Sequence, residues 1–215
     1  MLRYAIFDLD GTLLNTALDL RDCLNAAMRR YGFREYTEAE VKLMVGNGSR
    51  NLMIRCTGLK DDEKIDEICA WYNGLYAKNY HNLSRAYDGI PEALAKLQAQ
   101  GVVMAVLSNK PQLMTANLIA ECLPEIRFAA VLGQREGVAL KPDPAAVREI
   151  LGVMGASAEE TAYFGDSEVD VKTAVNAELP LFAATWGFRS EETLRSAGAQ
   201  VFLHAPDEIP GVFGL

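Results

Sequence analysis

Tyr4-Ala5-Ile6-Phe7-Asp8-Leu9-Asp10-Gly11-Thr12 is the stretch on which the fold turns. Residues Tyr4 to Leu9 are mostly apolar, with aromatic and β-branched members, and then break into Asp10-Gly11-Thr12, so they read as a short buried strand ending in a polar turn. Past that turn the period becomes helical for about seventy residues. Thr16 with Asp19 resembles a capping box and opens a helix bearing Leu20, Leu24, Ala27 and Met28 on one side. Thr37 with Glu40 repeats the signal, and Gly46-Asn47-Gly48 stops that helix. From Asp62 to Tyr80, Ile65, Ile68, Trp71, Tyr72, Leu75 and Tyr76 recur at spacings of three and four, which predicts a longer helix whose aromatic stripe is buried.

From residue 88 onward, helix and strand alternate. Pro91 suits the first turn of a helix ending at Gly101, and Val102 to Leu107 is a continuous buried strand. Pro111 starts a helix, Phe128 to Leu132 reads as a strand, and Asp143-Pro144 opens a helix running to Leu151. Ala162-Tyr163-Phe164, Leu181 to Ala184 and Val201 to Leu203 are further strands. Alternation of this kind implies an α/β fold, a parallel sheet covered on both faces, which the strand at residues 4–9 must join. Residues 1–14 and 86–215 are therefore expected to form an α/β core, and residues 15–85 an inserted helical domain.

Composition excludes several classes of function. The 215 residues are 50% hydrophobic and 23% charged, the balance of a globular protein. The longest apolar run, Val102 to Leu107, is far short of the roughly 20 residues a membrane span needs, and Asp8 and Asp10 interrupt any signal-peptide core. A net charge of -8 argues against nucleic acid. The charge is uneven: residues 15–85 hold 11 basic and 10 acidic side chains, the remainder 10 and 19. Cys23, Cys56, Cys69 and Cys122 fit no zinc or redox spacing and read as free thiols of a cytoplasmic protein.

In parallel α/β sheets, ligands bind outside the carboxyl ends of the strands. The first strand ends in Asp8 and Asp10, the second in Ser108-Asn109, a third in Gly165-Asp166-Ser167 followed by Asp170, and Lys141 stands in the loop Lys141-Pro142-Asp143-Pro144. Carboxylates gathered at one edge call for a hard divalent cation, and oxygen-only ligands favour Mg²⁺. With a lysine, a hydroxyl and turn amides beside it, such an edge suits a phosphoryl group. No GxSxG elbow surrounds Ser108, and neither GxxxxGK nor GxGxxG occurs.

These four motifs, in this order and over essentially the full length, resemble those of the haloacid dehalogenase-like hydrolase superfamily, and residues 15–85 resemble its helical cap. The resemblance implies a Rossmann-like core and a two-step phosphoryl transfer. Asp8 would be the nucleophile, and Asp10 the acid that protonates the leaving oxygen and the base that then activates water. Ser108, Asn109 and Lys141 would bind the phosphoryl group, and Mg²⁺ would be held by Asp8, the carbonyl of Asp10 and Asp166, with Asp170 supporting the metal shell. A second carboxylate at Asp10 favours phosphate esters over dehalogenation. Within the family, Val45-Gly46-Asn47-Gly48 is similar to the substrate loop of phosphoglycolate phosphatases, and Arg50 or Arg55 beyond it would meet an anion. Asn15 and Glu178 depart from the family pattern, which usually has Asp and Gly there.

A small phosphorylated metabolite is thus the expected partner, with neither nucleic acid nor membrane, for a monomer or homodimer. A β-phosphoglucomutase-like sugar phosphomutase shares the chemistry, but Thr12 after Gly11 resembles the phosphatase pattern, where mutases more often carry an aliphatic residue. A non-catalytic phosphoryl-accepting regulator also clusters Asp, hydroxyl and Lys, but such domains have no helical insertion and no carboxylate placed as Asp10 is.

Overall fold

The computed structural model describes residues 1–215. The chain divides into two compact units, residues 16–85 and residues 1–15 with 86–215. Two-residue strands at Leu14–Asn15 and Arg85–Ala86 mark the passages between them, where helical periodicity gave no strand.

The unit of residues 16–85 holds four helices: α1 (Ala17–Tyr31), α2 (Glu38–Met44), α3 (Ser49–Thr57) and α4 (Asp62–Asn79). The expected capping box forms at α2, where the Thr37 hydroxyl accepts from the Glu40 N–H and the Glu40 carboxylate accepts from the Thr37 N–H. The one expected at α1 does not: Thr16 makes no side-chain cap, and Asp19 instead accepts from the N–H groups of Leu83 and Ser84 and from the Ser84 hydroxyl. Buried at 3% exposure, Asp19 thereby anchors the end of the helical unit to its beginning. Tyr72, Tyr76 and Tyr80 are buried, with Tyr72 and Tyr76 stacked at 5.6 Å, so most of the aromatic stripe is core; Trp71 sits edge-on to Tyr31 at the surface side. The Asn25 side chain bonds both the N–H and the carbonyl of Tyr36, tying the loop before α2 to α1.

The other unit is a six-stranded parallel sheet: β1 (Tyr4–Phe7), β2 (Val103–Pro111), β3 (Ala130–Gln134), β4 (Thr161–Gly165), β5 (Leu181–Ala184) and β6 (Phe202–Leu203). Their order is β3-β2-β1-β4-β5-β6. Parallel neighbours require crossovers, supplied by α5 (Ile90–Ala99), α6 (Gln112–Cys122), α7 (Ala145–Met154), α8 (Glu168–Asn176) and α9 (Glu191–Ala197). The chain builds outward from β1 to β3, then restarts at β4 on the other side of β1, so the topological switch lies between β1 and β4.

β1 is covered on both sides, with Ala5, Ile6 and Phe7 fully buried. Ile6, Leu107 and Tyr163 pack with Val147, Ile150 and Leu179, and Phe7 stacks on Phe164 at 4.6 Å. Each such side chain contributes about 1.5–3 kcal/mol of burial. The elements fall where expected with one consequential exception: β2 does not stop at Leu107 but runs on through Ser108, Asn109 and Lys110 to Pro111, so α6 begins one residue after the proline.

Glu178 follows α8 with φ of 58°, the one non-glycine residue in the left-handed region. A side chain there costs roughly 1 kcal/mol over glycine. Glu178→Gly is expected to raise the melting temperature by about 2–4 °C in a thermal denaturation scan; no change would show that the turn relieves the strain elsewhere.

Candidate active site

Register brings the site together. Phe7 is level with Val106 of β2 and with Phe164 of β4, and the Asp8 N–H donates to the Phe164 carbonyl at 2.8 Å. Asp8 therefore emerges at the sheet's carboxyl edge beside Ser108 on one side and Gly165-Asp166 on the other, at the switch point. Asp8, Asp166 and Asp170 are all buried and each offers an oxygen within 4.8 Å of the others.

Lys141 lies among them. Its ammonium is 2.8 Å from Asp8 Oδ1 and 2.7 Å from Asp170 Oδ1, with the Tyr163 hydroxyl at 3.3 Å. Asn109 seats it: the Asn109 carbonyl accepts from the Lys141 N–H at 2.8 Å, and the Asn109 amide donates to the Lys141 carbonyl at 3.1 Å. Asn109 was expected to bind phosphoryl oxygens, but these two bonds turn its side chain to the main chain of Lys141, so its evident part is to place the ammonium. Asp170 is engaged likewise. It accepts from Lys141 and Tyr163 on Oδ1, and from the Ser167 N–H and hydroxyl on Oδ2, closing the capping box that starts α8. Its carboxylate supports Lys141 more than it offers a vacant ligand.

Asp166 accepts from the Thr12 hydroxyl at 3.2 Å and from the Phe188 N–H at 2.6 Å, one donor on each oxygen. The segment carrying Phe188 is tied back to the first turn by Trp186 Nε1 donating to the Thr12 carbonyl at 3.0 Å. Gly11, with φ of 88°, and Gly187 allow this closeness, because a Cβ at Gly11 would strike the Asp166 carboxylate and one at Gly187 would strike Asp166 Cβ and the Gly11 carbonyl. Gly187→Ala is expected to displace Asp166 and to weaken divalent-cation binding about tenfold or more in a calorimetric titration. Unchanged affinity would show that Asp166 does not depend on this segment.

Burial, followed by the neighbouring Asp170 charge, pushes the Asp8 carboxyl well above the ordinary range and that of Asp166 up to about 7. Burial alone would drive the Lys141 ammonium down and the Asp170 carboxyl up. The Asp170 and Asp8 charges reverse the first, and Lys141 with its hydrogen bond reverses the second, leaving Lys141 raised and Asp170 lowered.

A second ammonium, absent from the expectations, completes the edge. Lys110, on the extended end of β2, holds Asp10 at 2.9 Å and 3.1 Å from the two carboxylate oxygens. Fully ionised, Asp8, Asp10, Asp166 and Asp170 would exceed Lys110 and Lys141 by two negative charges, which one divalent ion would balance. The donor set is oxygen only. Hard cations suit both features.

In the helical unit, Gly46 and Gly48 flank Asn47 with φ of 116° and 80°, and Gly48 precedes α3. Arg50, expected to meet an anionic substrate, is turned elsewhere: its guanidinium bonds Asp66 at 2.8 Å and Asp62 at 2.5 Å, joining α3 to α4. Arg55 donates to the Met44 carbonyl at 2.6 Å. Both cations serve the packing of their own unit.

With this geometry in place, comparison with known proteins is specific. The model of the haloacid dehalogenase-like hydrolase family matches residues 5–184. A phosphoglycolate phosphatase of Mesorhizobium japonicum is 30% identical over 203 residues, covering 93% of this chain and 89% of its own. One from Vibrio cholerae is 31% identical over 198 residues, covering 89% and 88%. A crystal structure from Lactobacillus delbrueckii subsp. bulgaricus matches with a TM-score of 0.92 at 30% identity, over 98% of this chain and 97% of that one. CbbY from Rhodobacter sphaeroides, solved as a mutant with xylulose-1,5-bisphosphate, has a TM-score of 0.79 at 19% identity over 97% and 96%, and shares the fold. The chain belongs to the haloacid dehalogenase-like hydrolase family.

Proposed function

We propose that the protein is a Mg²⁺-dependent phosphatase of small phosphate monoesters, with 2-phosphoglycolate the first substrate to try, acting in the cytoplasm. The observation that carries the reading is Asp8 at the switch point, gripped by Lys141 within a buried acidic cluster, with a second carboxylate two residues on. The relatives that bear the phosphoglycolate phosphatase name support the choice of ester, and the four free cysteines suit a reducing compartment.

Asp8 attacks phosphorus, a P–O bond forms to its carboxylate and the ester P–O bond breaks, with Asp10 giving its proton to the departing alcohol oxygen. Asp10, now ionised, takes a proton from water as that water attacks the aspartyl phosphate. Inorganic phosphate leaves and Asp8 is regenerated. Ser108 donates to the phosphoryl oxygens and Lys141 offsets their charge. Asp8, Asp166 and the Asp10 carbonyl would hold the ion, which neutralises the charge that otherwise keeps a phosphate dianion from a carboxylate. We assign the choice of ester to residues 16–85, with the Gly46-Asn47-Gly48 loop the first segment to vary.

Phosphate release from 2-phosphoglycolate, hexose phosphates and p-nitrophenyl phosphate tests the reading. Release is expected with Mg²⁺ and is expected to fall at least about a hundredfold in excess chelator. A sugar phosphomutase would require a bisphosphate and release little phosphate. A regulator would acquire label on Asp8 without turnover.

A further inference from the structure

We propose that Lys110 is a positioning residue that holds the Asp10 carboxyl in the line of the leaving oxygen. The proposal rests on the phosphatase reading above and deepens it.

The ammonium itself is firmly held. Lys110 has a side chain 2% exposed, whereas that of Asp10 is 22% exposed. Its main chain is pinned on both sides: the N–H donates to Ser108 Oγ at 3.2 Å, and the carbonyl accepts from Thr115 Oγ1 of α6 at 3.2 Å. On the side of β3 the chain comes so near that a Cβ at Gly133 would lie 2.6 Å from the Lys110 carbonyl oxygen. Strand, helix and neighbouring strand thus fix where the side chain starts. Asp10, by contrast, sits in the turn after β1, where a short carboxylate has two torsions to choose from. One ammonium contacting both of its oxygens removes that choice.

Proton transfer demands such placement, since an acid works only within hydrogen-bond reach of the atom it protonates. The site has a different lysine for the nucleophile: Lys141 binds Asp8 and Asp170, and Lys110 binds Asp10. The two ammonium groups divide the acidic edge by task. Lys141 serves the end where phosphorus is attacked, and Lys110 serves the end from which the alcohol leaves.

Leaving-group dependence separates this from a merely structural or electrostatic part. An alkoxide must be protonated as it departs and p-nitrophenolate need not be, so kcat/KM, which covers steps through alcohol departure, is measured with Mg²⁺ for 2-phosphoglycolate, glycerol 2-phosphate and p-nitrophenyl phosphate. In Lys110→Met the loss on both alkyl esters is expected to exceed the loss on p-nitrophenyl phosphate by about tenfold or more, with Lys110→Arg recovering part of it. Equal losses on all three esters overturn the proposal. A loss confined to 2-phosphoglycolate also overturns it, by making Lys110 a reader of the substrate carboxylate. If Lys110→Met does not fold, Lys110→Gln gives the same ratio and is judged by the same limits. Absence of turnover by the parent enzyme on every ester rejects the phosphatase reading and this proposal with it, whereas parental turnover with uniform losses rejects this proposal alone.

Discussion

Asp8→Asn is expected to reduce phosphate release below about one hundredth of the parent rate without lowering the melting temperature. An amide cannot form the bond to phosphorus, so the first step is lost whatever the ester. The fold should survive for a reason peculiar to this site. Burial and the Asp170 charge push the Asp8 carboxyl well above the usual range, which means that ionised Asp8 is a cost to the ion-free protein. The amide removes the charge, while its carbonyl can still accept from the Leu9 N–H and from Lys141, as Asp8 Oδ1 does at 2.7 Å and 2.8 Å. Activity and stability are therefore predicted to move apart. Phosphate release together with thermal denaturation checks this: hydrolysis above that limit contradicts the covalent step, and a melting temperature several degrees lower would make Asp8 a structural residue first.

Much of this site is legible in the residues, because its parts stand at strand ends and strand ends are visible as apolar runs that stop. Asp8, Ser108 and Asp166 lie at one edge since β1, β2 and β4 are parallel and in register, which alternation alone implies. Lys110 escaped for the complementary reason. The apolar run stops at Leu107, but the strand continues through three polar residues whose burial is supported by partners elsewhere in the fold. A lysine directly after Ser108-Asn109, with no glycine before Pro111, was the available signal. Arg50 and Asp19 failed differently. The partners of Arg50, Asp62 and Asp66, lie on another helix, and those of Asp19 lie at Leu83 and Ser84; neither pairing has a local signature. The Thr16 and Thr37 boxes read alike in sequence, and only the second closes, because the first lost its acidic residue to a distant segment.

Lys141→Met is expected to cost more than any other single change, in stability and in turnover together. The methionine keeps the stem's volume and removes the ammonium, leaving Asp8 and Asp170 buried with no cation between them. Breaking a buried pair by deleting one partner costs about 3–5 kcal/mol. The pH dependence is what identifies the cause. In the parent, Lys141 holds the Asp170 carboxyl below its ordinary range; without it, burial pushes that carboxyl up, as it already does for Asp8 and Asp166. A carboxyl whose folded-state affinity for its proton exceeds the unfolded value stabilises the fold at low pH and loses that contribution as pH rises. The variant should accordingly lie nearest the parent in stability at about pH 5 and fall away from it toward pH 8. Added Mg²⁺ at pH 8 should restore part of the loss by supplying the missing positive charge, while turnover stays at least about a hundredfold down because the phosphoryl oxygens have lost their ammonium. Denaturant titrations at pH 5 and pH 8, with and without Mg²⁺, measure all four terms. A deficit independent of pH would assign the effect to packing around the lysine stem, and a deficit largest at pH 5 would contradict the arrangement of charges described for this site.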